Sequence, residues 1–180
     1  MTLIIHKNGQ VYSDSKIVIL GSTNVEMAYH GKKLHREADL VWAYTGIDDG
    51  DDTINRMIDS FRAHYIGDEA LRRRIIEGCV ADTDQTNATY IVCRPDGCWV
   101  ANSRQRWVRM PDGIPVAFGW DQLSAYVLLQ LGLEPDVIIR ELSELAAGIG
   151  GPIQHEDVTV GLGPVMKNVS EKYEVCDEER

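Results

Sequence analysis

The second residue of the chain is a threonine, and it opens the stretch TLIIHKNGQVYSDSK. A small second residue such as threonine is one that methionine aminopeptidase generally accepts. Removal of Met1 would leave Thr2 with a free α-amine beside its own hydroxyl, so that one residue could supply both nucleophile and base for attack on a carbonyl. Asn8-Gly9 is the strongest short hairpin signal in the chain, with Leu3 to Ile5 before it and a weak alternation from Gln10 to Ser15 after it. A two-residue turn there pairs Lys7 with Gln10 and, continuing outward, Leu3 with Asp14 and Thr2 with Ser15. A carboxylate therefore ends within one residue of the chain start.

Other chemistry-bearing residues read more plainly. His30, His35 and His64 lack ligand spacing with cysteines or carboxylates and read as surface histidines. Asp48, Asp49, Asp51 and Asp52 lack the twelve-residue spacing and terminal Glu of a calcium loop, and suit an acidic helix start instead. Gly148 to Pro152 has no phosphate-loop spacing and reads as a helix stop. Arg72-Arg73-Arg74 lies within an amphipathic pattern as a solvated helix face. Four cysteines, Cys79, Cys93, Cys98 and Cys176, are too few and too irregular for a disulfide scaffold. Cys93 and Cys98 flank the turn Pro95-Asp96-Gly97, so they can face each other across a hairpin, and they read as free, partly buried thiols. No metal or cofactor site is expected.

The elements around these residues alternate in blocks. After the first hairpin, LVWAYTG at 40–46 reads as a buried strand and DDGDDTINRMIDSFRAHY as a helix with Ile54, Met57, Ile58 and Phe61 at helical spacing. DEALRRRIIEGC gives a second helix. ATYIVC, CWVAN and RWVRM read as a meander, and PVAFG at 115–119 as a further strand. WDQLSAYVLLQLGL is helical, with Leu123, Val127, Leu128 and Leu131 as its expected core stripe. Another helix starts at Glu134-Pro135-Asp136 and runs to about Ala147. Residues 156–169 return to strand, and the charged tail EKYEVCDEER frays or pairs with a partner. Trp42, Trp99, Trp107 and Trp120 are expected in the sandwich or at subunit contacts. This order fits an α+β fold, a four-layer αββα sandwich of two antiparallel sheets.

The chain has 180 residues, 44% hydrophobic and 26% charged, enough for one well-filled core, and residues 1–180 are expected to form a single domain. A formal net charge of −10 opposes binding to nucleic acid or to an anionic membrane surface. No apolar run approaches a membrane span and the start lacks a signal-peptide pattern, so a cytoplasmic setting is expected.

TLIIHKNGQVYSDSK, then GKKLH, then LVWAYTG before an acidic helix start, resembles the front of proteasome β-type subunits and of the HslV peptidase, a family of N-terminal nucleophile hydrolases. The resemblance runs residue by residue over about the first 65 residues, and beyond them in element order only. It implies Thr2 as nucleophile, Asp14 as the carboxylate beside the lysine, Lys33 as the catalytic lysine, and the Gly46 amide as oxyanion donor. An ammonium beside the hydroxyl would lower the cost of its alkoxide while the α-amine takes the proton. It further implies a peptide or protein substrate, a homo-oligomer that is a dimer or a ring, an unfoldase or another protein as partner, and no cofactor.

The second half departs from that family. Active members follow the strand matching PVAFG with a Gly-Ser-Gly-type step, where this chain has Gly119-Trp120-Asp121. They also place an Asp near the end of the fourth helix, where LAAGIGGPIQH offers Gly148 and Gly150. Two readings follow: a threonine peptidase or amidase in which Asp121 or His155 substitutes in proton handling, or a catalytically inactive scaffold or protein-binding homo-oligomer on the same fold.

Overall fold

The computed structural model describes residues 2–20, 26–46, 51–77, 88–102, 106–146 and 149–159. Strands β1 (Leu3–Lys7) and β2 (Gln10–Ser13) form the hairpin that Asn8-Gly9 predicts. Both turn residues are left-handed, φ 53 and 74, which the tight turn between twisted strands demands, and Lys7 stands opposite Gln10. Strands β3 (Lys16–Leu20) and β4 (Glu26–His30) pair as a separate two-stranded ribbon that the sequence reading passed over. Strands β5 (His35–Glu37), β6 (Leu40–Thr45), β7 (Thr89–Arg94), β8 (Gly97–Asn102) and β9 (Val108–Arg109) form one antiparallel sheet in sequence order. Strands β10 (Val116–Gly119) and β11 (Gln154–Asp157) flank the hairpin to give a second sheet, ordered β10-β1-β2-β11. The helices are α1 (Asp51–Tyr65), α2 (Glu69–Glu77), α3 (Gln122–Gln130) and α4 (Pro135–Leu145).

Period-two alternation along the strands builds the layers. Leu3 and Ile5 of β1 pack with Ala125 and Leu129 of α3 and Ile138, Ile139 and Leu142 of α4. Ile4, between them, turns to the other sheet and meets Val41, Ala43, Ile91 and Cys93. Leu40, Tyr90 and Val92 face away again, onto Ile54, Met57, Ile58 and Phe61 of α1. Each sheet is therefore apolar on both faces, and the expected αββα sandwich of two antiparallel sheets is observed. Full burial of one such side chain contributes roughly 1.5–3 kcal/mol, so three continuous apolar layers hold the sheets in register.

Several expectations are corrected. Helix α3 carries three of its four expected stripe residues outward: Leu123, Val127 and Leu131 are 77, 56 and 71% exposed, while Leu128 packs against the core beside Ala125 and Leu129. Helical spacing identifies a stripe but not which side a neighbour covers. RWVRM shrinks to the two-residue β9, because Trp107 leaves the ladder and donates its indole N–H to Ser60 Oγ at 3.0 Å on α1. Trp120 is half exposed beside the α3 stripe. Arg72 is buried and donates to Glu69 at 2.6 Å, leaving Arg73 and Arg74 exposed. Cys93 and Cys98 are buried outright. The last strand begins at Gln154, two residues early; the strand expected beyond Thr159, the charged tail, Asp48, Asp49, Cys79, Cys176 and Gly148 lie outside the described residues. Among the described residues no helix is long and apolar enough to cross a membrane.

Candidate active site

Strand β2 ends at Ser13, and Asp14 steps off the ladder with its carboxylate fully buried. Its Oδ1 accepts the amide of Leu3 at 2.9 Å. Its Oδ2 accepts the Lys33 ammonium at 2.8 Å, the Lys16 amide at 3.2 Å and, at the long limit, the Gly150 amide at 3.4 Å. Donors thus surround both oxygens, which a desolvated carboxylate requires. The hairpin arithmetic holds at Leu3 and Asp14. It stops there: Ser15, expected opposite Thr2, gives its N–H to Gly150 O at 3.1 Å and accepts Gly31 N at 2.8 Å.

Lys33 lies in the four-residue link between β4 and β5, with its side chain 6% exposed. Burial lowers its pKa from the usual 10.5, and Asp14 pulls the other way. Between the lowered value and 10.5 the unfolded chain binds more protons than the folded one, so the stability tied to this group rises with pH across that window. Such an ammonium gives up its proton more readily than a solvated lysine.

Gln154, the first residue of β11, escaped the sequence reading altogether. It stands opposite Ser13 in the sheet, its Oε1 accepts the amides of Lys33 at 2.8 Å and Leu34 at 3.0 Å, and its Nε2 donates to Gly31 O. One carboxamide thereby holds the whole link that presents the lysine. Removing it with Gln154→Ala orphans two amides, each costing roughly 1–3 kcal/mol where buried. The expected result is a stability loss of about 2 kcal/mol by urea unfolding, with Gln154→Asn recovering little because it is one methylene short.

Thr2 is half-buried and its carbonyl accepts Trp120 N at 2.8 Å, in line with the Leu3 to Gly119 pairing of β1 and β10. Gly119 has φ 96, and a Cβ there would overlap the Thr2 carbonyl oxygen and stand 2.9 Å from Thr45 Cγ2. Thr2 and Thr45 therefore converge on Gly119. Gly46, the next residue after Thr45, is exposed with φ 118. The structure joins Asp14 directly to Lys33, sets Thr2 one residue from the amide that Asp14 holds, and brings Gly46 to the same end of the sandwich.

Asp121 and His155 are engaged elsewhere. Asp121 is left-handed at φ 56 ahead of α3 and accepts Ser124 Oγ at 2.6 Å. His155 stacks on Tyr12, with centroids 4.6 Å apart, and its Nε2 meets Gln10 Oε1 at 2.8 Å.

The layered α+β sandwich of two antiparallel sheets is a fold this chain shares with solved proteasome-type subunits. HslV from the eukaryote Trypanosoma brucei matches it with a TM-score of 0.58 at 16% identity, covering 87% of this chain and 98% of that one. BPH from Thiobacillus denitrificans, also solved in complex with epoxomicin, gives 0.53 at 13% identity over 86% of this chain and 95% of its own. Anbu, the ancestral beta-subunit, from Yersinia bercovieri gives 0.56 at 10% identity over 86% and 79%. No family model matches the sequence, and no curated protein matches it significantly.

Proposed function

We propose that this chain is a threonine-type hydrolase of peptide or other amide bonds, with Thr2 as its N-terminal nucleophile once Met1 is removed. The observation that carries the reading is the buried Asp14–Lys33 pair whose carboxylate also holds the amide of Leu3, next to Thr2. In this mechanism the α-amine of Thr2 takes the proton from its own hydroxyl, and the Lys33 ammonium lowers the cost of the alkoxide that attacks the scissile carbonyl. Asp14 fixes the lysine and balances its charge, and the Gly46 amide donates to the oxyanion. Proton return from the amine to the leaving nitrogen completes acylation, and water then attacks the ester.

The test begins with the intact mass of the purified protein. Loss of one methionine is expected, together with hydrolysis of a peptide library and formation of a covalent adduct with epoxomicin, the compound with which BPH is solved in complex. Thr2→Ala should abolish both, with turnover falling on the order of a thousandfold or more. A full-length mass, or turnover that survives Thr2→Ala, would exclude this mechanism.

A second reading keeps the fold without the chemistry: a non-catalytic, protein-binding scaffold. The step Gly119-Trp120-Asp121, with Asp121 tied to Ser124, favours it. Both readings involve assembly, for the outward apolar stripe of α3 with Trp120 beside it is a surface that a second copy could cover. Leu123→Asp with Leu131→Asp should reduce the mass measured by light scattering to that of a smaller species; an unchanged mass would show that α3 is not the contact.

A further inference from the structure

The end of the sandwich away from the Asp14–Lys33 pair carries a second chemistry. Cys93, on β7, and Cys98, on β8, are directly opposed across the turn Pro95-Asp96. Their sulfurs lie 3.1 Å apart, and both are free thiols. Directly opposed residues of an antiparallel pair have Cα atoms about 4.5–5.5 Å apart, inside the range a disulfide spans, so bonding at about 2.05 Å asks only that the side chains close by about 1 Å. The two thiols differ in access. Cys93 is 0% exposed within the apolar layer between the sheets. Cys98 lines a cavity of about 320 Å³, bordered by Arg94, Gly97 and Arg109 on its own sheet and by Gly9 of the β1–β2 turn. At about 30 Å³ per water molecule, that space holds roughly ten waters and admits a small hydroperoxide.

We infer that Cys98 and Cys93 form a peroxide-oxidised dithiol, in which Cys98 is the attacking sulfur and Cys93 the resolving one. Cys98 attacks as its thiolate on one oxygen of hydrogen peroxide. The O–O bond breaks, the other oxygen leaves as hydroxide and takes up the proton shed by Cys98, and a sulfenic acid remains on Cys98. The Cys93 sulfur then attacks Cys98 Sγ, and its proton leaves with the departing hydroxyl as a second water. Two thiols have lost two electrons, one peroxide has become two waters, and a cross-strand disulfide closes the β7–β8 hairpin. The order of attack follows the burial: its apolar surroundings and the neighbouring sulfur hold the Cys93 thiol protonated well above the usual thiol range, and Cys93 is not placed at the cavity.

The experiment uses the full chain carrying Cys79→Ser and Cys176→Ser, so that only this pair reacts, exposed to stoichiometric hydrogen peroxide and read by intact mass and by thiol titration after unfolding. The expected result is a loss of about two mass units with both thiols gone, reversed by a small dithiol reductant. Adding Cys93→Ser should leave a sulfenic acid on Cys98 that a dimedone-type probe captures, while adding Cys98→Ser should leave Cys93 unmodified. Two thiols persisting, or a mass that rises by oxygen additions without the two-unit loss, would overturn the inference, and probe capture on Cys93 would overturn the assignment of roles. If the serine background does not fold, fragment-ion sequencing of the 93–98 loop in the unaltered chain decides the same question.

Discussion

Asp14→Ala should cost roughly 3–5 kcal/mol of stability, the largest loss expected from any single substitution at this site. The change strips the carboxylate from the Lys33 ammonium, whose side chain is 6% exposed, and from the amide of Leu3 in one step, while the Lys16 amide keeps its bond to Gly150 O at 2.9 Å. Urea unfolding monitored by the tryptophans reads the loss as a lower midpoint at unchanged slope. A double variant, Asp14→Leu with Lys33→Met, separates the two contributions. Removing both charges relieves the buried ammonium, so the double variant should be more stable than Asp14→Ala alone, yet still below the parent because the Leu3 amide remains without its carboxylate acceptor. A double variant as stable as the parent would mean that the carboxylate does nothing for the backbone around Thr2. Hydrolysis, if the proposed mechanism holds, should disappear in both.

The second large effect is expected at Gly119. Alanine there must adopt φ 96 and place a Cβ where the Thr2 carbonyl oxygen and Thr45 Cγ2 now stand. Left-handed strain and overpacking together predict a loss of roughly 2–4 kcal/mol, with displacement of Thr2 from its place against β10. Gly132 supplies the control, since it has φ 87 but open space around the corresponding Cβ. Gly132→Ala should therefore show only the backbone strain, and the difference between the two variants measures the crowding around Thr2. Equal losses would show that Gly119 is needed for its backbone angles alone.

How much of this was legible in the sequence depends on how local the signal was. Asn8-Gly9 sets both the turn and the register, so the neighbourhood of Leu3 and Asp14 could be worked out by counting. The lysine could not be placed that way, because nothing short-range links Lys33 to Asp14; a family resemblance was needed to name it. Gln154 left no signal, since a glutamine at the start of a polar strand looks like any solvated side chain, and its three partners in residues 31–34 lie about 120 positions away. Leu123, Val127 and Leu131 misled for the opposite reason. Their spacing is truly helical, but spacing carries no information on whether the covering surface belongs to the same chain. The ribbon β3–β4 was passed over because its residues lie between two stronger signals, the hairpin and LVWAYTG.

The clamp made by Gln154 has a consequence in time as well as in space. Everything needed for the β1–β2 hairpin lies within the first thirteen residues, so it can form early and locally. The link carrying Lys33 waits for β11, which docks on β2 from more than 140 residues away and binds the link from some 120 residues away. A chain emerging in order from the ribosome would thus possess its threonine and its aspartate long before the lysine is held beside them. Joining of Lys33 to Asp14 becomes one of the last events of folding.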